Sequence, residues 1–229
     1  MTRAAILQSN YIPWRGYFDL IASVDRFVFY DEVQYTRADW RNRNRIKTPQ
    51  GAQWLSIPVG ASVHRSISDV QVADPTTGLR HWTRLAQNYR HAACFRRIAD
   101  WIEPLFLEMP WHNLSDINQR FIRDVCNRLE ITTPICQSAT HPSTGDRNGR
   151  LIDLCKAVGA DVYVSGPAAR AYLDTEAFQR AGLAVEWFDY TGYPEYPQLW
   201  GPFVHDVSVL DLLFNCGDAA PRYLDRCRS

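Results

Sequence analysis

The chain has 229 residues, is 46% hydrophobic and balances 25 basic against 25 acidic side chains. It can therefore fill a packed core, and it carries no global field toward nucleic acid or an anionic membrane, so anion recognition must be local. The basic residues are 23 Arg against 2 Lys, Lys47 and Lys156, so a single arginine says little and a lysine says more.

Residues 4–7 form a short, continuously apolar run that fits a strand buried on both faces. Pro13 prevents regular helix across residues 8–15. A helix over about residues 16–23 would turn Tyr17 or Phe18, Leu20, Ile21 and Val24 inward. Residues 27–30 then supply a second buried strand, completing a β-α-β unit whose default is parallel pairing. Residues 31–53 show no clean period and interleave polar with aromatic side chains; an irregular segment of that length is uncommon unless it carries function. Residues 54–59 read as a strand, and Ile67, Val70 and Val72 as one edge strand. Helices are predicted over 79–90, over about 93–107, where Pro104 argues for a kink or early stop, and over 114–129. The last has Ile117, Phe121, Val125 and Leu129 at four-residue steps behind an Asn113 or Ser115 cap. Next come a strand at 131–135, a polar loop at 138–148, a helix at 149–157 and a strand at 161–164 ending in Ser165-Gly166-Pro167-Ala168. A helix at 168–180, a strand at 184–188, an aromatic and proline-rich loop at 190–201 and a buried helix at 207–214, capped by Asp206, complete the order.

Strands alternating with helices give an α/β fold, a mostly parallel Rossmann-like sheet flanked by helices. The expectation is a single domain over 1–229, with a central helical insertion at about 79–130 as the candidate subdomain. Six cysteines, Cys94, Cys126, Cys136, Cys155, Cys216 and Cys227, stand far apart with no Cys-x-x-Cys pair, which supports neither a zinc ribbon nor a thioredoxin motif. No histidines are paired at ligand spacing, and neither Gly-x-Gly-x-x-Gly nor a Walker loop occurs. No metal is expected, and the residues name no cofactor. The first residues are too short of apolar length for a signal peptide, and no apolar run approaches the roughly 20 residues of a membrane span. The expectation is a soluble cytoplasmic protein without a membrane partner.

Candidate site residues gather after the first two strands, where open α/β sheets bind ligands. Gln8, Asn10 and Tyr11 offer amides and a phenol to a polar ligand, or to the loop's own backbone. Asp31 follows a buried strand, where a carboxylate must be paired or wet; it is the candidate general base, or else a partner of Arg41 or Arg43. Tyr35, Trp40, Arg41, Asn42, Arg43 and Lys47 bring together guanidinium forks, amides and a stacking ring. That chemistry suits a nucleotide-sugar phosphate, a coenzyme A phosphate or a carboxylate. A solvated loop and single-stranded nucleic acid are the other readings, and the neutral charge balance opposes the last. Ser165 and Gly166 would line the opposite wall with backbone N–H groups. His205 is the histidine chosen as acid or base, because His64, His81, His112 and His141 lie in polar stretches without nearby partners. Asp211 stands in an otherwise apolar helix, where an unpaired carboxylate is expensive.

The blocks ILQSNYIPWRGYFDLI, FVFYDEVQYTRADWRNRNRIKT, WLSIPV, YVSGPAARAYLD, WFDY, YPEYPQ and HDVSVLDLLFNCG, in that order over nearly the whole chain, resemble the WbqC-like family. The resemblance implies a transferase of cell-surface polysaccharide or natural-product biosynthesis that modifies an amino sugar or similar amine, by acyl or aminoacyl transfer. Its implied partners are a small-molecule substrate and a nucleotide-linked sugar or an acyl or aminoacyl carrier. Two blocks depart from the family: Gln8-Ser9 stands where it has Gln-Pro, and His91-Ala92-Ala93-Cys94-Phe95 where it has Lys-Ala-Pro-Tyr-Phe, which points to a different substrate. Two further readings stay open. One is a nucleotidyltransferase-like enzyme, although Trp14-Arg15-Gly16-Tyr17 occupies the place of its His-x-Gly-His motif. The other is a non-catalytic ligand-binding subunit of a biosynthetic complex.

Overall fold

The computed structural model describes residues 1–61 and 64–224; Cys227 lies outside the described residues. In chain order the strands are β1 (Arg3–Leu7), β2 (Arg26–Phe29), β3 (Arg43–Thr48), β4 (Gly51–Ser56), β5 (Ile135–Gln137), β6 (Val162–Ser165) and β7 (Ala184–Trp187). The α-helices are α1 (Arg15–Ala22), α2 (Thr77–Tyr89), α3 (Phe95–Leu107), α4 (Leu114–Arg128), α5 (Arg147–Ala157), α6 (Thr175–Arg180) and α7 (Val209–Cys216). Five strands make one parallel sheet in the order β5-β2-β1-β6-β7, the Rossmann-like architecture expected of alternating strands and helices.

The two leading strands are apolar throughout because both of their faces are covered. Ala5, Phe27 and Phe29 join a core with residues of α1, α2, α3, α4 and α7. Ala4, Ile6, Val28 and Tyr30 face the other way, toward Leu151, Leu154 and Cys155 of α5 and Phe178 of α6. The helices over 79–130 pack their apolar stripes into the first of these cores, with Leu85, Ile98, Ile102, Ile117 and Phe121 fully covered. Asn113 caps α4, its Oδ1 accepting the Asp116 N–H at 3.1 Å.

Several local expectations change. Residues 31–53 are not irregular throughout: β3 and β4 form an antiparallel hairpin with Arg45 opposite Trp54, turned at Gly51, whose φ of 96° suits glycine. Ile67, Val70 and Val72 belong to a short 3-10 turn and single bridges, not an edge strand. The strand expected at 131–135 begins only at Ile135, after Pro134, whose carbonyl accepts the Phe27 N–H at 3.0 Å. Pro104 stays inside α3 near its C-terminal end, so the helix runs on to Leu107. The helix expected over 168–180 is divided: a 3-10 segment spans Pro167–Ala171, and Asp174 caps α6 by accepting from Ala177 N. Ser208, not Asp206, caps α7, which leaves Asp206 outside the helix. No helix among the described residues is long and apolar enough to cross a membrane.

Candidate functional site

The chain leaves β1 toward β2 and reaches the other side of β1 only at β6. The sheet order therefore reverses between β1 and β6, and such a reversal opens a crevice beyond the carboxyl ends of the strands. After β6, Tyr190 packs on Gly166, 3.4 Å from where a Cβ would stand. Tyr190 in turn meets Trp14 of the loop after β1, ring centroids 5.5 Å apart, and the two loops close one side of the crevice with an aromatic wall. Burial pushes the Tyr190 hydroxyl up to about 12, so it stays protonated at neutral pH.

On this wall opens a cavity of about 200 Å³ lined by Asn10, Pro13, Trp14, Trp40, Asn44 and Asp206. A second, of about 370 Å³, is lined by Ala38, Asp39, Trp40, Arg43, Arg45, Trp54 and Asp206. Trp40 and Asp206 border both, so the two are parts of one cleft. Backbone bonds join its walls: Tyr11 N to Trp40 O at 2.9 Å, Ser208 N to Arg45 O at 2.8 Å and Val209 N to Pro13 O at 2.9 Å. Ile12 takes a φ of 36°, a conformation that costs a β-branched residue about 1–3 kcal/mol. Asn44 holds it there, Nδ2 donating to the carbonyls of Tyr11 at 3.1 Å and Ile12 at 3.0 Å.

The residues singled out in the sequence divide between cleft and interior. Asn10 and Trp40 line the first cavity, and the Asn10 Oδ1 has no hydrogen-bond partner. Arg43 lines the second, its guanidinium 4.2 Å from the centre of the Trp54 ring. Gln8 and Arg41 stand behind, Arg41 Nη2 donating to Gln8 Oε1 at 3.1 Å and Nη1 lying 3.2 Å from Asp39. Asn42 is buried and donates to Ile57 O at 2.9 Å. Ser165 is buried beside Tyr163, 3.4 Å between hydroxyls, and Gly166 reaches the cleft only through Tyr190. Tyr35 is buried, with Arg65 over its ring.

Four expectations are corrected by what these side chains touch. Asp31 is 2% exposed; Oδ1 accepts from Ser9 N at 2.8 Å, and Oδ2 from Ser115 Oγ and from Gln119 Nε2 at 3.0 Å. Buried and accepting three hydrogen bonds, it anchors the loop after β1 to α4 and lines neither part of the cleft. Tyr11 is a core residue whose hydroxyl meets His81 Nδ1 at 2.7 Å, so His81 does have a partner. Burial lowers the His81 pKa to about 4, Arg80 and Arg84 act in the same direction, and a bond to the Ser56 backbone opposes them. Lys47 is 2% exposed, its Nζ donating to Gln198 Oε1 at 2.6 Å and Pro202 O at 2.5 Å, and it lines neither part of the cleft. His205 is exposed and does not line the cleft; its Nδ1 lies 3.4 Å from Arg15 Nη2.

Asp206 and Trp54 are cleft residues that the sequence pattern does not single out, while Trp14 and Asn44 fall within the segment it marks. Asp206 reads as a helix cap in the sequence, but it pairs with Arg45 at the boundary of the two cavities. Trp14 also roofs the start of α1: a Cβ at Gly16 would lie 2.4 Å from its indole. Among the described residues no group of His, Cys, Asp and Glu is arranged to hold a metal ion.

A five-stranded parallel sheet with an aromatic, amide- and carboxylate-lined cleft at its switch point defines a Rossmann-like α/β protein. The profile of the WbqC-like protein family matches residues 8–223, and the chain belongs to that family. A Mycobacterium tuberculosis (strain ATCC 25618 / H37Rv) protein named "Uncharacterized protein Rv1507c" is 49% identical to it over 230 residues, spanning 100% of both chains. No solved structure matches the chain.

Proposed function

We propose that the protein is a biosynthetic transferase that takes an amine-bearing ring, an amino sugar or a similar intermediate, into the first cavity and forms an amide or related acyl linkage on its nitrogen. The observation that carries this reading is the cavity lining: the indoles of Trp14 and Trp40, the amides of Asn10 and Asn44, and one carboxylate, Asp206. Indole faces cover the apolar face of a sugar ring, the Asn10 amide meets its hydroxyls, and Asp206 meets its ammonium through a charge-assisted bond. The volume of about 200 Å³ is below the roughly 300–1,000 Å³ of pockets for drug-sized ligands and suits a single ring.

Asp206 then replaces Asp31 as the base. It takes a proton from the ammonium, and the freed nitrogen lone pair attacks the acyl carbon of a thioester donor. The C–N bond forms and the C–S bond breaks; the second nitrogen proton passes to the departing thiolate, and Asp206 releases the first to solvent. The family resemblance supports the amine class of substrate.

Calorimetric titration with glucosamine, and with N-acetylglucosamine as the control lacking an ammonium, tests the binding half. Glucosamine should bind the wild type and weaken about tenfold or more in Asp206→Asn, the scale of a lost hydrogen bond to a charged group. Equal binding of both sugars, or of neither, overturns the reading. Release of free thiol from an acyl-coenzyme A in the presence of the amine, absent in Asp206→Asn, tests the chemical half.

A further inference from the structure

We infer that the second cavity is a phosphate subsite, so that the amine substrate arrives as a sugar phosphate or nucleoside-diphosphate sugar; the inference rests on the reading just given for the first cavity. The argument is one of charge and access. Arg43 and Arg45 line the second cavity with two carboxylates, Asp39 and Asp206, and Arg41 stands behind them. Arg41 lies 3.2 Å from Asp39, and Arg45 is paired with Asp206. Arg43 has no carboxylate partner among the described residues, and its buried Nε has no hydrogen-bond partner. One positive charge is therefore left over at the wall of the second cavity.

Arg43 is also held in place. Its guanidinium carbon sits 4.2 Å from the Trp54 ring centroid, and a cation–π contact of that kind holds the group against the ring while its N–H donors remain for a ligand. The Trp40 and Trp54 rings, 5.4 Å apart, are among the large hydrophobic side chains that remain exposed, at 42% and 39%. A planar fork beside open aromatic faces is an arrangement for a phosphate ester, which it meets bidentately, and for a base or ribose beyond it.

Continuity sets the order of the ligand's parts. Trp40 and Asp206 border both cavities, so a ring in the first places a phosphate on its anomeric carbon at the entrance to the second. The phosphate falls toward Arg43 and Arg45 while the amine stays with Asp206. The ion pair of Arg45 with Asp206 stands between them and keeps each charged group of the ligand opposite its complement.

Titration of wild type and Arg43→Ala with glucosamine, glucosamine 1-phosphate, UDP-glucosamine and inorganic phosphate at low ionic strength tests this. The 1-phosphate should bind the wild type about tenfold or more tightly than glucosamine, Arg43→Ala should erase that gain, and glucosamine itself should bind both proteins alike. UDP-glucosamine binding more tightly still identifies a nucleotide sugar as the ligand, and binding equal to the 1-phosphate identifies a sugar phosphate; both support the subsite. Arg43→Lys should recover only part of the gain, because it restores charge without the fork. If glucosamine binds and phosphate adds nothing, the subsite is overturned and the proposed function stands. If inorganic phosphate binds through Arg43 while no amine binds, the anion site stands and the amine reading fails. If nothing binds to folded protein, both are wrong.

Discussion

Arg43 and Lys47 stand on the same face of β3, four residues apart, and the molecule treats them in opposite ways. The segment at 196–203 closes over Lys47, which joins a buried network with Asp211: Asp211 accepts from Tyr89 Oη at 2.7 Å, Tyr196 Oη at 2.8 Å and Gln198 Nε2 at 2.7 Å. Gln198 Oε1 returns the connection to Lys47 Nζ. Arg43 lies at the open end of the strand with a ring beneath it, and the two carboxylates that share its cavity, Asp39 and Asp206, are paired with Arg41 and Arg45. The contrast separates two uses of a half-charged interior. A network in which each member has partners fixes the fold, and a polar group left without one marks where a ligand completes the set.

The contrast breaks first at Asp211. Asp211→Ala would strand two phenol donors, an amide and the Lys47 ammonium in the interior, and stability should fall by about 3–5 kcal/mol, the cost of breaking a buried charge network from one side. A urea midpoint that hardly moves would show that the network does not hold the 196–203 segment in place. Burial pushes the Asp211 carboxyl up, with Tyr89, Tyr196, Gln198 and Lys47 pulling it back, while burial lowers Lys47 against the pull of Asp211. The two charges are thus held by one another and by their neighbours.

The next largest effect concerns the buried pair under the loop after β1. The His81 pKa falls from 6.5 to about 4 on folding, so the neutral ring is the form the fold accepts. A folded value below the unfolded one gives stability that is present above pH 6.5 and lost as pH falls toward 4. The loss should reach about 3 kcal/mol. In Tyr11→Phe the ring stays buried, so the acid limb persists; His81→Phe should flatten it. Denaturation midpoints at pH 7 and pH 4.5 measure the difference, and an acid limb unchanged in His81→Phe would assign it to other groups.

Asn44 links the interior to the cleft. Asn44→Ala removes both bonds that hold the Tyr11 and Ile12 carbonyls and leaves Ile12 at an unfavourable φ. A cost of about 2 kcal/mol follows from buried acceptors losing their donor, together with weaker glucosamine binding as the loop relaxes. Stability lost with affinity unchanged would show that the strained turn does not shape the cavity.

What the chain reveals without its fold follows the same division. The sheet centre was legible because residues 4–7 and 27–30 are apolar on both faces, and α4 because its apolar residues recur at one-turn spacing. The β3–β4 hairpin was not, since β3 turns Asn44, Ile46 and Thr48 inward and only one of those is apolar; its buried amide is satisfied by backbone carbonyls no pattern announces. Asp31 looked like a base because a strand-end carboxylate needs a partner, but Ser115 and Gln119 lie 84 and 88 residues further on. His81 looked solitary for the same reason, with Tyr11 70 residues away. Asp206 has the sequence signature of a helix cap, but Ser208 fills that role, and no local pattern marks Asp206 as a carboxylate of the cleft.

The smallest expected change in stability is the sharpest test of the comparison. Arg43→Ala removes a side chain that is only half-buried and has no ion-pair partner among the described residues, and its contact with Trp54 is worth about 0.5–1 kcal/mol at an exposed site. Relief of the uncompensated charge and of its buried, unpartnered Nε opposes that loss, so the unfolding midpoint should move by no more than about 0.5 kcal/mol. Lys47→Ala, four residues along the same face, should cost several times as much, because Gln198 Oε1 and the Pro202 carbonyl lose their buried donor. Measured side by side by urea denaturation, a large loss at Arg43 and a small one at Lys47 would reverse the assignment of the two ends of the strand. Arg43 would then belong to the fold, and the cleft would lose its free cation.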